Sequence, residues 1–346
     1  MKIVSPSAEI MQAIKNPQKH IESIARTCYK SNDLITEDSH KRFISNLVER
    51  KHWAMLEHYI FIYSVDHVFY ENYNMFASML NIPLTYMKMT NIDGRYLISF
   101  SGRTLLDLYE LVNYCDSGKY HDTIEEFKEY TLKLMKQCVY DYDCKELFNQ
   151  EPRHDEVIPN PLFTAITLDQ LENEMTQEEF MVHGWKSVKF ICDRGVSHEI
   201  VRHRDSSYAQ ESTRYCSYNK DKFGNEITVI KPCMFNNDSE DINEKQKYKF
   251  WEESIKHSED AYFYLLDMGA TPQEARSVLP NSLKTEIIMT ARNYEWVHFF
   301  ELRCDKAAHP QMREVAIPLY HQFCGESKLF NNEIKKLNIL GGDSNA

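Results

Sequence analysis

The sequence predicts an α/β chain, and three observations carry that reading. "HYIFIYSV" (58–65) and "KTEIIMTAR" (284–292) are β-branched, partly aromatic runs of strand length. Amphipathic stretches with recognisable start and stop signals surround them, which marks helices. The chain has 346 residues. A single core stops growing at roughly 250–300 residues, so one large domain with an insertion, or two domains, is expected.

In chain order, "KIVSPSAEI" (2–10) reads as a strand, "IESIARTCYKS" (21–31) and "HKRFISNLVERKHW" (40–53) as helices, and "HYIFIYSV" as a strand. The texture then changes. Residues 66–180 hold "GRYLISFSGRTLLDLYELV" (94–112), an acidic, lysine-rich helical stretch from Asp122 to Leu147, and turn signals at Pro152, Pro159 and Pro161. This segment reads as a mainly helical insertion with no assigned role, set into a core made of 1–65 and 181–330. Residues 331–346 read as a C-terminal tail whose "GGDSNA" end is disordered. Glu178 to about Arg202 reads as one helix, with Phe180, Trp185, Val188, Ile191 and Cys192 near helical spacing. A polar acidic loop (234–245) precedes a helix over about 246–268. "TPQEARSVLP" (271–280) is a short helix with Thr271 and Glu274 as a capping box and Pro272 at the first position. "NYEWVHFFELRCDKAA" (293–308) is a helix with Asn293 as its cap and Trp296, Phe299, Phe300 and Cys304 on its core face, and His309-Pro310 opens the last long helix.

The composition excludes several classes. The net charge is -12, which argues against a general nucleic-acid binder. There is no charged-then-apolar leader and no run of about 18 apolar residues, so neither secretion nor membrane insertion is expected. Nine cysteines are scattered without a CxxC pair, as in reduced thiols of a cytoplasm, bacterial or that of a host cell if the source is viral. "HEIVRH" (198–203) puts its histidines five apart rather than four, about 140° around a helix, so it is not a zinc motif and no metal is expected. The ten glycines form neither GxGxxG nor GxxxxGKS.

One stretch departs from the acidic background. "EIVRHRDSSYAQESTRYCSY" (199–218) places Arg202, His203, Arg204 and Arg214 among Ser206, Ser207, Ser212 and Thr213. Guanidinium groups present forked donors that match phosphate oxygens. A local basic, hydroxyl-rich segment in an acidic chain points to a pocket for a small anion; a surface loop paired with carboxylates is the plain alternative.

RHR followed by seven residues and Ser (Arg202, His203, Arg204, Ser212) closely resembles the signature of the flavin-dependent thymidylate synthases. "ARTCYKS" (25–31), "KHWAMLEHYIFIYSV" (51–65), "ARSVLP" (275–280) and "WVHFFELR" (296–303) resemble other motifs of that family in the same order. The resemblance implies an α/β (α+β) fold with a mixed sheet flanked by helices, and a homotetramer with shared active sites. It implies conversion of dUMP to dTMP, with methylenetetrahydrofolate as carbon donor and FAD, reduced by NADPH, as hydride carrier. Catalytic roles fall on Arg303, Ser212 and His52; Ser212 reads as a binding hydroxyl rather than a nucleophile, because no adjacent base is evident. Glu199, Arg202, Gln210, Glu211, Ser212, Thr213, Arg214, Arg276 and Arg303 fall on dUMP positions. Ala54, Arg202, His203, Arg204, Gln210, Arg292, Asn293, Tyr294 and His298 fall on FAD positions. His58 is aligned with a family histidine and reads equally as a structural one. Departures are Lys51 in place of a usual glycine, Ala54 without a hydroxyl, Gln210-Glu211 where Asn-Glu or Gln-Gln pairs occur, and Tyr294 where arginine is frequent, with Arg292 a neighbouring substitute. The rival readings are a pyrimidine-nucleotide-binding protein, or another flavoenzyme, without synthase chemistry.

Overall fold

A computed structural model describes residues 1–79, 87–114, 121–145, 163–214, 216, 218 and 224–336. The chain opens with β1 (Lys2–Val4), β2 (Ser7–Met11) and α1 (Pro17–Ala25), which continues into a 3-10 turn (Arg26–Tyr29). Next come α2 (Ser39–Glu49), a 3-10 helix (Trp53–His58) and β3 (Ile60–Val65). Then follow α3 (His67–Met79), β4 (Met87–Ile92), β5 (Arg95–Ser101), α4 (Gly102–Tyr114), α5 (His121–Tyr142), β6 (Phe163–Ala165) and α6 (Leu168–Glu174). The second half holds α7 (Gln177–His183), β7 (Trp185–Asp193), α8 (Arg194–Ile200), β8 (Ser207–Gln210), β9 (Thr228–Ile230) and α9 (Ile242–Asp267). It ends with α10 (Pro272–Ala275), β10 (Lys284–Arg292), α11 (Asn293–Arg303), α12 (Pro310–Glu326) and α13 (Lys328–Lys335).

Two four-stranded sheets organise these elements, ordered β2-β7-β10-β8 and β4-β5-β3-β6. Every pairing within both sheets is antiparallel. The mixed sheet expected from the sequence is therefore corrected: among the described residues the parallel pairing is β1 with β9, a separate two-stranded ribbon. One apolar cluster runs through both sheets, from Phe61, Phe100 and Phe163 to Phe190, Trp296, Phe299 and Phe300.

The helix expected over Glu178–Arg202 is the largest revision. It is α7, then β7, then α8. Gly184 ends α7: a Cβ there would stand 2.3 Å from the Asn293 amide and 2.5 Å from the Phe180 carbonyl. Beyond it, β7 has β2 on one side and β10 on the other. Its apolar residues come from both faces, Trp185 and Ile191 from one and Val188, Phe190 and Cys192 from the other, so strict alternation is lost and the spacing mimics a helix. "KIVSPSAEI" likewise divides into two strands in different sheets at Ser5-Pro6, where proline offers no N–H to a ladder. Asn293 is not a cap: Arg292 holds that position, and the Asn293 amide donates to the Phe180 carbonyl at 3.0 Å.

Other elements match their expectation. β10 spans the nine residues of "KTEIIMTAR". Thr271 N–H and hydroxyl both donate to Glu274 at 2.8 Å, closing the capping box. The segment 66–180 contains α3, α4, α5 and α6, and it also supplies β5 and β6, which flank β3, and β4, which pairs with β5. α13 continues the ordered chain past residue 331 to Lys335. The turns at Pro152, Pro159 and Pro161 and the "GGDSNA" end lie outside the described residues.

Candidate functional site

β8 is the edge strand of its sheet, and its alternation sorts the arginine-rich segment onto two faces. Tyr208 and Gln210 point to α8: the Tyr208 hydroxyl donates to the carbonyls of Ile200 (3.0 Å) and His203 (2.5 Å), and Gln210 Nε2 donates to Ser197 Oγ at 2.9 Å. Ser207 and Ala209 point the other way: Ser207 Oγ donates to Glu57 at 2.8 Å, and Ala209 packs with Ile24, Ile288 and Met55.

On the α8 face, α8 stops at Ile200, so Arg202, His203 and Arg204 fall in a turn where all three are released from helical spacing. Arg202 and Arg204 are exposed and His203 is buried between them. Arg303, at the last turn of α11, reaches this turn. Its Nε donates to His203 Nε2 at 3.0 Å, Nη1 to Glu199 Oε2 at 2.8 Å, and Nη2 to the Glu199 carbonyl at 2.8 Å. Since Nε2 accepts, the His203 proton sits on Nδ1. Burial, with Arg303 and His298 nearby, lowers the His203 pKa to about 4, so the ring is neutral. Two of the five Arg303 N–H bonds remain for a ligand. His298 is 55% exposed on the same helix, its ring 5.9 Å from that of His203.

Past β8 the chain is held from both sides. The Glu211 amide donates to the Glu286 carbonyl at 2.8 Å, and the Ser212 amide to the Cys28 carbonyl at 3.1 Å. The Glu211 carboxylate is buried and takes Lys284 Nζ at 3.1 Å. Arg276 donates to Thr213 Oγ1 at 3.4 Å, which brings two predicted substrate residues together. The Ser212 hydroxyl accepts the Arg214 N–H at 3.3 Å, and among the described residues no base bonds it.

The opposite face carries His52 and Ala54. They line an open cleft of 400 Å³ with Cys28, Trp53, Met55 and Arg103. Arg103 also donates to Glu57 at 2.5 Å, the carboxylate that holds Ser207. One chain therefore separates His52 and Ala54 from His203 and Arg303 by the thickness of the sheet.

Two predicted cofactor residues are interior. Arg292 is buried, with Nη1 on Ser99 Oγ at 2.6 Å and the Val182 carbonyl at 3.1 Å, and Nη2 on the Ser99 carbonyl at 3.1 Å; burial lowers its pKa to about 10. It nevertheless lines a small pocket together with Tyr294, Lys88, Asp205 and Ser207. Asn293 is 1% exposed. Tyr294 instead meets Lys88, whose Nζ lies 5.5 Å from the ring centre. His58 is fully buried, with Nδ1 2.7 Å from Thr290 Oγ1. Sequence reasoning missed Glu57, Arg103, Tyr208, Lys30 and Lys284. Lys284 and Glu286, two apart on a strand and so on one face, were a readable hint; the others carry no local signal.

Among the described residues no histidine, cysteine and carboxylate group could hold a metal ion, and no helix is long and apolar enough to cross a membrane.

Fold and site together define an α/β protein of two antiparallel sheets with a basic, hydroxyl-rich segment on a sheet edge. The model of the thymidylate synthase complementing protein family matches residues 9–70 and 174–326, well over half of the chain, and the chain belongs to that family. It is 36% identical over 126 residues to the flavin-dependent thymidylate synthase of Geobacter sulfurreducens, covering 36% of this chain and 50% of that protein. It is 35% identical over 138 residues to that of Pyrococcus horikoshii, covering 40% and 54%. With that of Saccharolobus solfataricus it shares 30% over 164 residues, covering 43% and 58%. The chain thus spans about half the length of the curated relatives it matches. A solved UMP/dUMP methylase from Streptomyces cacaoi, bound with 5-Br UMP, superimposes with a TM-score of 0.40 at 16% identity, over 47% of this chain and 78% of that one.

Proposed function

We propose that the protein makes dTMP from dUMP by reductive methylation, with methylenetetrahydrofolate as carbon donor and FAD, reduced by NADPH, as hydride carrier. The observation that carries this reading is the convergence of Arg303 on His203 and Glu199 from about a hundred residues away, in a chain of this family.

The residues present fit an anionic dinucleotide. Arg202 and Arg204 are exposed cations on either side of neutral His203, with His298 open beside them. These four, with Gln210, would hold FAD; Arg292 and Asn293 leave that set because their side chains are interior. Ala54 offers no hydroxyl. The separation of His52 and Ala54 from His203 by the sheet supports a homotetramer whose sites draw on more than one subunit. The eight described cysteines are free thiols, which suits a reducing cytoplasm.

Bound flavin supplies the hydride chemistry. The chain's own task is electrostatic. C5 of uracil is a weak nucleophile until negative charge gathers on the ring. Arg303, which cannot lose its proton, would place its remaining N–H bonds at the carbonyl and N3 where that charge develops. Glu199 and His203 fix the guanidinium beforehand, so little reorganisation accompanies the reaction. Thr213, Arg214 and Arg276, with the Ser212 hydroxyl, would hold the phosphate and ribose.

The test is dUMP-dependent NADPH oxidation with and without methylenetetrahydrofolate, together with tritium release from dUMP labelled at C5. Release that requires folate supports the reading. A flavin-loaded protein that binds dUMP without releasing tritium would assign it to the chemically silent alternative.

A further inference from the structure

Lys88 comes from the stretch that the family model does not match, yet its side chain ends beside the candidate site. It lies on β4, an edge strand of the second sheet. Edge lysines commonly serve only to discourage further pairing. Here the ammonium stands 5.5 Å from the centre of the Tyr294 ring, and both residues line a pocket of about 50 Å³ with Asp205 and Ser207.

β4 is anchored in that place. Lys88 and Thr90 are two apart on a strand and share one face. Thr90 Oγ1 lies 2.8 Å from Nε2 of buried His183 on α7, whose Nδ1 lies 2.7 Å from Ser99 Oγ on β5. Burial lowers the His183 pKa to about 3, so the ring is neutral, with one nitrogen donating and the other accepting. Lys88 therefore rides on a strand that is tied to α7, the helix against which α11 packs.

The position also continues the site. Tyr294 and His298 are four apart on α11, so they lie on one face about 6 Å apart along the axis. His298 is the open residue beside His203, and Arg204 and Asp205 follow His203 in the chain. A ligand laid from Arg202 and Arg204 along this face passes His298 and reaches Tyr294 and Lys88. The carboxyls at this end are Asp205 and Glu295, and among the described residues neither forms an ion pair with Lys88.

We propose that Lys88 is a cofactor-binding residue: its ammonium takes a phosphate of the flavin dinucleotide at the Tyr294 end of α11, beyond Arg204 and His298. An ammonium binds phosphate as a point charge, without the paired geometry an arginine needs. This rests on the reading of the Arg202–Arg204 turn as the flavin site. It gives the long unmatched segment a share in that site through one side chain.

Lys88→Met keeps a flexible stem against Tyr294 and removes the charge. Flavin retained through purification should fall, and the dissociation constant for FAD returned to stripped protein should rise about tenfold, the effect of roughly one partly screened charge. Added salt should weaken FAD binding more steeply in wild type than in Lys88→Met, which has one screened contact fewer. Lys88→Arg should recover most of the affinity, and the flavin-free melting temperature should match in all three proteins. Equal FAD affinity in wild type and Lys88→Met, or a loss that Lys88→Arg does not recover, would overturn the proposal. So would a lower flavin-free melting temperature for Lys88→Met, which would make Lys88 a structural counter-charge to Asp205 and Glu295. Wild-type protein that binds no flavin would overturn the functional reading itself, so the two failures are distinct.

Discussion

Arg303 donates its Nε–H to His203 Nε2 at 3.0 Å, and so an arginine at the end of α11 fixes the tautomer of a histidine in the turn after α8. Removing that donor changes both partners. Arg303→Ala is expected to lower tritium release from C5-labelled dUMP by about 10²–10³-fold or more, the scale of losing one preorganised donor to a developing oxyanion. Flavin content after purification should stay close to wild type, since Arg202 and Arg204 remain. Arg303→Lys should not rescue, because an ammonium lacks the planar fork and, with its three N–H bonds spent on Glu199 and His203, would have none left for the pyrimidine. Near-normal turnover in Arg303→Ala would refute the assigned role.

Ser212 is expected to be dispensable for bond making. Its hydroxyl accepts the Arg214 N–H within a local turn, and among the described residues it meets no base. Ser212→Ala should keep measurable kcat and raise KM for dUMP by roughly tenfold or less, about one hydrogen bond. Loss of all turnover with dUMP still bound would restore the nucleophile reading.

Arg292 separates structure from cofactor binding. Its guanidinium joins β10 to Ser99 on β5 and to the carbonyl of Val182. Arg292→Met should destabilise the fold by roughly 2–4 kcal/mol, because buried acceptors lose their donors. Flavin bound per folded molecule should not change. A variant of normal denaturant midpoint that loses flavin would reverse this assignment.

Acid should unfold the protein early. Burial lowers the pKa of His58 and His183 to about 3, and of His20 and His203 to about 4. In the unfolded chain they titrate near 6.5, so between about pH 6.5 and pH 4 the unfolded state binds more protons than the folded state. Stability therefore rises with pH across that window and is lost as pH falls through it. Melting temperatures measured from pH 7.5 to 4.5 should show the decline. His58→Gln, which keeps a partner for Thr290 but cannot titrate, should flatten the slope. A flat profile in wild type would contradict the buried neutral histidines.

Legibility in the sequence followed the range of the interactions. The Thr271–Glu274 box and the β10 run are local, and residue types alone define them. β7 is not local: it is a strand because β2 and β10 flank it, and its own spacing resembles a helix. The same holds in the site. Family motifs located Arg303, His203, Glu199, Arg276 and Thr213, and the structure joins them in two groups. Motifs could not tell that Asn293 and Arg292 turn inward, since that depends on Gly184 letting α11 approach α7 and on Ser99 arriving from β5. Nor could they reveal Arg103 behind Glu57, which comes from a stretch the family model does not match.

The placement of β3 has a consequence for how far this chain can be shortened. β3 lies within the matched residues, yet its two hydrogen-bonding neighbours, β5 and β6, both come from the unmatched stretch between 70 and 174. Excising that stretch to reach the size of a minimal relative would strip an inner strand on both sides at once. Its aromatic run from Phe61 to Tyr63 would then face solvent along two open edges, a template for self-association. The long segment is thus a structural dependency of the shared core, and trimmed versions of this protein are expected in the pellet rather than the supernatant.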